Sequence, residues 1–219
     1  MRTIIYLVRH GSVVGAETRR FIGHLDVPLS ATGEAEAAAL GRKLAGTKLA
    51  AAYCSDLART RRTAEILGRP HGLEAVPLPA LREFSMGRWE GLTAAEIQAL
   101  DPAAFEAWMA DVGRFQFPGG ESLADVSARA WPAFENIAAR HPGSRILVVA
   151  HGGPNRILLC RALGIRPERI LALGQDYAAL SVLERDPSGW TLRLLNHREP
   201  GGVTAFVVQV SRASQPPYG

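Results

Sequence analysis

Residues 145–150 read Arg145-Ile146-Leu147-Val148-Val149-Ala150 and run directly into His151-Gly152-Gly153. An unalternating run of branched apolar side chains suits a strand covered on both faces, and such strands belong to parallel sheets flanked by helices. Residues 3–8 are built the same way and end in Arg9-His10-Gly11. In open α/β sheets, ligands bind in the crevice beyond the carboxyl ends of the strands. Two covered strands that each stop at His-Gly therefore predict one crevice with both histidines in it.

The remaining punctuation agrees with that fold. Ser30 or Thr32 can cap a helix running to about Leu44, with Ala35, Ala38, Ala39 and Leu44 as its apolar positions. Leu49–Cys54 reads as a second covered strand, and Leu57–Leu67 as a helix closed by Gly68 and Pro70. Leu73–Val76 is a weaker strand, ended by Pro77 and Pro79. Residues 93–140 look helical, broken at Asp101-Pro102 and Phe117-Pro118-Gly119-Gly120, with Ser122 and Asp125 as a variant capping box. A helix is expected from about Pro154 to Leu163. Residues 178–185 and 190–196 read as a strand pair around Asp186-Pro187-Ser188-Gly189. Val203–Val210 reads as a further strand and 211–219 as a disordered tail.

Strands alternating with helices predict a three-layer α/β/α sandwich, with a mostly parallel sheet and one antiparallel edge strand. A single domain over 1–210 is expected, with a helical lid insert at about 93–140.

Composition narrows the function. Cys54 and Cys160 are far apart, which argues against a disulfide framework or a zinc cluster and suits a reducing compartment. No segment reaches the roughly 20 apolar residues of a membrane helix. Arg9-His10 interrupts the N-terminal apolar run too early for a secretory leader, so a cytoplasmic protein is expected. The net charge of +4 comes from scattered basic residues, and aromatics form only 7% of the chain, so neither nucleic acid nor membrane is an expected partner.

The residues converging on the crevice have a definite chemistry. Arginine forks match phosphate oxygens, and an imidazole among arginines has a depressed pKa. A neutral imidazole nitrogen is a competent nucleophile near pH 7. A carboxyl group such as Glu83 can protonate a departing oxygen. Glycines beside the histidines let backbone N–H groups approach a phosphate closely. Taken singly, each piece has a plainer reading: a structural histidine, a solvated arginine face at Arg59, Arg61 and Arg62, a surface carboxylate. Together they point to a site for a phosphoryl dianion.

Six segments, in order, then resemble the histidine phosphatase superfamily, the phosphoglycerate mutase-like proteins. Leu7-Val8-Arg9-His10-Gly11 matches its R-H-G signature, and Gly23-His24-Leu25-Asp26-Val27-Pro28-Leu29-Ser30-Ala31-Thr32-Gly33 its G-x-x-D-x-P-L-S/T-x-x-G segment. Ser55-Asp56-Leu57-Ala58-Arg59-Thr60, Leu81-Arg82-Glu83 through Gly87-Arg88-Trp89-Glu90-Gly91, Phe117-Pro118-Gly119-Gly120-Glu121-Ser122 and Val149-Ala150-His151-Gly152-Gly153 complete the set. The resemblance implies His10 as nucleophile and Glu83 as proton donor. It implies Arg9, Arg59 and His151 as the phosphate pocket, with backbone from Gly23 and Gly152, and no metal or other cofactor. A metal hydrolase built on His10, His24 and His151 is the competing reading. The chain departs from the pattern at Ser12 and Val13 after R-H-G, at Val14–Ala16 where an Asn is common, and at Ile22 where a Gln is common. These changes bear on the substrate more than on the chemistry.

Members resembling the mutases carry a longer lid between the glutamate and the second histidine. Here residues 84–150 offer only Arg88, Arg114, Arg129, Arg140 and Arg145 as basic groups, and a more open pocket favours hydrolysis. The expectation is a metal-independent phosphomonoesterase for a small phosphorylated metabolite. Arg20-Phe21-Ile22-Gly23-His24 combined with Phe117–Ser122 resembles α-ribazole phosphatases, with Phe21, Phe84, Met86 and Trp89 either an apolar wall or core. The alternatives are a mutase-type phosphotransferase and a non-catalytic phospho-ligand-binding module. A homodimer is left open.

Overall fold

The structure is a computed structural model that describes residues 1–198. The strand expected at 203–210 and the tail at 211–219 lie outside the described residues. Six strands are present among them: β1 (Thr3–Arg9), β2 (Ala51–Cys54), β3 (Ala75–Pro77), β4 (Arg145–Ala150), β5 (Leu180–Asp186) and β6 (Gly189–His197). The α-helices are α1 (Ala31–Leu44), α2 (Ala58–Gly68), α3 (Ala94–Leu100), α4 (Pro102–Ala110), α5 (Leu123–Arg140) and α6 (Gly152–Leu163).

The strands form one sheet in the order β3-β2-β4-β1-β5-β6. The pairs β3–β2, β2–β4 and β4–β1 are parallel, and β1–β5 and β5–β6 are antiparallel. The antiparallel edge is thus a hairpin. β5 alone runs against the rest, and β6 outside it points back with β1. The tight turn between them leaves no room for the crossover that a parallel pair needs.

Alternation along the covered strands divides the core. Ile5, Leu7, Ile146, Val148 and Ala150 face α5 and α6, meeting Val126, Ala130, Phe134, Ile137, Ile157 and Leu158. Val8, Leu147, Val149, Ala52 and Cys54 face the other way, onto Leu40, Leu44, Ala64 and Leu67 of α1 and α2. A period of two in the strands thus requires helices on both faces.

Two details differ from the sequence reading. In α1 the buried stripe is Gly33, Ala37, Leu40, Gly41 and Leu44, whereas Ala35 is exposed. Alanines are too small to set a face. Gly33 sets it, because a Cβ there would meet the Ser12 carbonyl oxygen, so the helix start packs directly on the loop after β1. The Ser30 cap ties the same loop: its Oγ accepts from Gly33 N–H at 3.1 Å and its N–H donates to Ser12 O at 2.9 Å.

The second concerns residues 93–140, which do not form one insert. α5, started by the expected Ser122–Asp125 capping box, lies in the layer on the sheet, because Val126, Ala130, Phe134 and Ile137 give it a continuous apolar stripe. Only α3 and α4 stand apart. They close over a small aromatic core in which Trp89 (2% exposed) contacts Phe21, Trp108, Phe115 and Phe117 at ring-centroid separations of 5.1–6.0 Å. Among the described residues no helix is long and apolar enough to cross a membrane.

Candidate active site

Register brings the two histidines together. Arg9 of β1 is paired with Ala150 of β4, so the next residue on each strand, His10 and His151, leaves the sheet side by side. Their rings stand 5.1 Å apart, 66° from coplanar, and both are buried. β2 pairs with β4 on the other side, and Ser55 N–H donates to Val149 O at 3.1 Å, which sets Ser55 beneath His151.

Hydrogen bonds assign the protons. His10 Nδ1 lies 2.8 Å from Gly11 O, and a carbonyl can only accept, so Nδ1 carries the hydrogen and Nε2 keeps its lone pair. The Arg59 Nε–H donates to His151 Nδ1 at 3.3 Å, so His151 carries its hydrogen on Nε2 and donates it to Ser55 Oγ at 2.9 Å. Both rings have pKa values held well below the usual 6.5. For His10 burial is the main cause, followed by Arg9 and Arg59. For His151 burial again leads, followed by His10 and Arg59.

Arg59 is 1% exposed and sits in the first turn of α2. Its Nη groups donate to Gly23 O and Leu25 O, each at 2.7 Å. Of the arginines weighed as a solvated face, Arg62 is one: it pairs with Glu34 and Glu65 at the surface. Arg9 Nη1 donates to Gln175 O at 2.5 Å, and its guanidinium lies 3.9 Å from the centre of the Tyr177 ring. Its Nε is buried with no hydrogen-bond partner among the described residues. An unpaired, buried, charged donor is costly, and an anion's oxygen is the acceptor that would satisfy it.

Glu83 reaches the site from an irregular segment. One carboxylate oxygen accepts from Phe84 N–H at 3.0 Å and the other from Gly153 N–H at 3.2 Å. Gly153 must be glycine here, since a Cβ would stand 2.3 Å from Glu83 Oε1 and 2.5 Å from the Phe84 ring. Gly152 is the first residue of α6, and a Cβ on it would lie 3.2 Å from Arg156 Nη1 and 3.5 Å from Arg9 Nε. Gly23 has φ of 52°, and a Cβ there would meet Glu90. His24 turns its ring to the Glu83 carbonyl oxygen at 2.8 Å, so its Nε2 is engaged there.

Arg9, His10, Gly23, Arg59 and Glu83 line one cavity of about 240 Å³ together with Arg19, Arg20, Phe21, Met86 and Tyr177, whereas His151 and Gly152, expected there, are not part of its lining. Phe21 and Met86 thus line the cavity, whereas Trp89 is core. Arg82 does not join; it forms a two-pronged pair with Asp56 at 2.6 and 2.7 Å. Tyr177 was not legible in the sequence, because it lies in an unpatterned stretch before β5. Its ring, 5.5 Å from His10, sits against the site through the bond from Ala178 N–H to His10 O. Ser55 stood inside a recognised motif, though nothing in the motif gave its role as the support of His151. The assembled group is a neutral imidazole nitrogen with a lone pair, the guanidinium groups of Arg9 and Arg59 and a carboxyl group, around one cavity. Such a group can accept a phosphoryl dianion and pass protons to and from its oxygens.

The chain is similar to known proteins over most of its length. Residues 5–198 match the profile of the histidine phosphatase superfamily, branch 1. Phosphoserine phosphatase 1 of Hydrogenobacter thermophilus is 31% identical over 182 residues, covering 83% of this chain and 86% of that one. The solved mycobacterial glucosyl-3-phosphoglycerate phosphatase superposes with a TM-score of 0.81 at 31% identity, covering 90% of this chain and 99% of its own. A putative α-ribazole-5′-phosphate phosphatase of Escherichia coli gives a TM-score of 0.83 at 27% identity, with 90% and 97% covered. The chain belongs to the histidine phosphatase superfamily and is an enzyme of its phosphatase and mutase kind.

Proposed function

We propose that the protein is a metal-independent phosphomonoesterase that works through a phosphohistidine on His10. The observation that carries this reading is the state of the His10 ring: buried, neutral, with Nδ1–H tied to Gly11 O and Nε2 unprotonated. In the first step Nε2 attacks phosphorus and the ester P–O bond breaks, while Glu83 gives its proton to the leaving oxygen. In the second step water attacks phosphorus, the N–P bond breaks, and Glu83 takes the water's proton. Each cycle returns the enzyme unchanged and releases alcohol and phosphate.

Arg9 and Arg59, with backbone N–H of Gly23 and Gly152, hold the phosphoryl oxygens as charge spreads over them, while His151, both of whose ring nitrogens are engaged by Arg59 and Ser55, fixes Arg59 in place. The substrate is a small phosphorylated metabolite. Arg19 and Arg20 in the cavity lining, with Phe21 and Met86 beside them, suit one that pairs its phosphate with an apolar or ring-bearing body, of which α-ribazole 5′-phosphate is an instance. Hydrolysis is favoured over mutase-type return transfer because α3 and α4 cover an aromatic core and bring no basic side chain of their own toward the phosphate.

The test is hydrolysis of p-nitrophenyl phosphate in EDTA. Activity that resists EDTA and vanishes in His10→Ala is expected. Activity that dies in EDTA, or survives in His10→Ala, overturns the mechanism. Phosphoryl return to an added acceptor at a rate above release to water would favour the mutase reading.

A further inference from the structure

Glu83 has to stay within reach of a leaving oxygen, yet it sits on a stretch, residues 82–86, with no strand or helix of its own. A side chain from α5 holds that stretch. Arg129 Nη1 donates to Ala80 O at 2.9 Å and to Arg82 O at 2.8 Å, and Nη2 donates to Glu83 O at 2.7 Å. The other edge of the same guanidinium grips Glu121, Nε to Oε1 at 2.7 Å and Nη2 to Oε2 at 2.8 Å. Glu121 in turn accepts from Ser85 N–H at 2.8 Å, and its own N–H donates to Ser85 O at 2.8 Å. The loop carrying Glu121 is pressed onto this segment: a Cβ on Gly120 would meet Ser85 O, and one on Gly87 would meet Pro118 O. Both side chains are 22% exposed, and Val126 and Ala130, flanking Arg129 on α5, are fully buried in the core.

We propose that Arg129, fixed by Glu121, is the positioning residue that sets Glu83 against the leaving oxygen, so that the core-packed helix α5 delivers proton-transfer geometry to the site. This rests on the reading of Glu83 as proton donor. A guanidinium fork can serve three carbonyls and a carboxylate at once; an ammonium group cannot. Displacing an acid by about 1 Å can cost roughly 100-fold in rate, and only where the leaving group needs the proton.

The experiment compares ethyl phosphate, whose alkoxide must be protonated, with p-nitrophenyl phosphate, whose phenolate leaves without help. In Arg129→Lys, kcat/KM, which reports formation of the phosphohistidine and not its hydrolysis, should fall roughly 100-fold for ethyl phosphate and less than about 5-fold for p-nitrophenyl phosphate. Glu121→Gln, which leaves the three carbonyl bonds of Arg129 in place, should show the same selectivity at smaller size and serves if Arg129→Lys does not fold. Equal losses on both substrates in a folded variant overturn the positioning role. Glu83→Gln is the control. If it shows no leaving-group selectivity, the reading of Glu83 as proton donor fails and the positioning role fails with it. If it does and Arg129→Lys and Glu121→Gln do not, only the positioning role fails.

Discussion

Arg59 donates through Nε to Nδ1 of His151 across 3.3 Å, and that bond fixes the tautomer of the second histidine. His151 spends its own proton on Ser55. Arg59 also braces the Gly23–Leu25 turn, so one buried side chain joins α2, the second histidine and the loop that roofs the site.

Arg59→Lys keeps the charge and loses the fork. We expect kcat/KM for p-nitrophenyl phosphate to drop by roughly 100-fold or more, with circular dichroism unchanged. A drop of less than about 3-fold would mean that the fork does not matter to phosphoryl transfer.

The buried neutral histidines make stability depend on pH. His10 and His151 have folded-state pKa values well below 6.5, so below about pH 6.5 the unfolded chain takes up protons that the folded chain refuses. The unfolding free energy should therefore fall with decreasing pH in that range, each ring adding up to about 1.4 kcal/mol per pH unit. Urea titrations between pH 7.5 and 5.5 on wild type and on a His10→Gln/His151→Gln double variant measure the difference in slope. Parallel slopes would contradict the assignment of two buried neutral rings.

Asn155, on α6, is fully buried and neither side-chain atom has a hydrogen-bond partner among the described residues. Leucine has nearly its shape without the unmet polar groups. Asn155→Leu should stabilise the fold by about 1–2 kcal/mol and raise Tm by about 2–8 °C. A lower Tm would show that the amide is satisfied in solution.

Much of this was legible in the sequence for a physical reason. Covered strands advertise themselves as unbroken apolar runs, and the residue that ends such a run must emerge at the sheet's edge, which put His10 and His151 in one crevice. Glu83 was found through its motif, since nothing local points a loop carboxylate inward. What stayed hidden depended on partners far along the chain. Tyr177 meets Arg9, and Arg129 meets Ala80, Arg82 and Glu83, through tertiary packing that leaves no periodic trace. The placement of α5 was readable in principle: Val126, Ala130, Phe134 and Ile137 are spaced as one helical stripe, too apolar for a helix standing free of the sheet. The α1 stripe was hidden because alanine and glycine carry little hydrophobic contrast.

The central claim is a covalent bond from His10 Nε2 to phosphorus. Mixing enzyme with a phosphomonoester, quenching in alkali within one turnover and mapping peptides by mass spectrometry tests it directly. The account predicts one phosphoryl group on the peptide containing His10, absent from His10→Ala and lost on acidification. A wild-type enzyme that turns over with no phosphoryl group on His10 at any quench time, or a His10→Ala variant that keeps its rate, would contradict it.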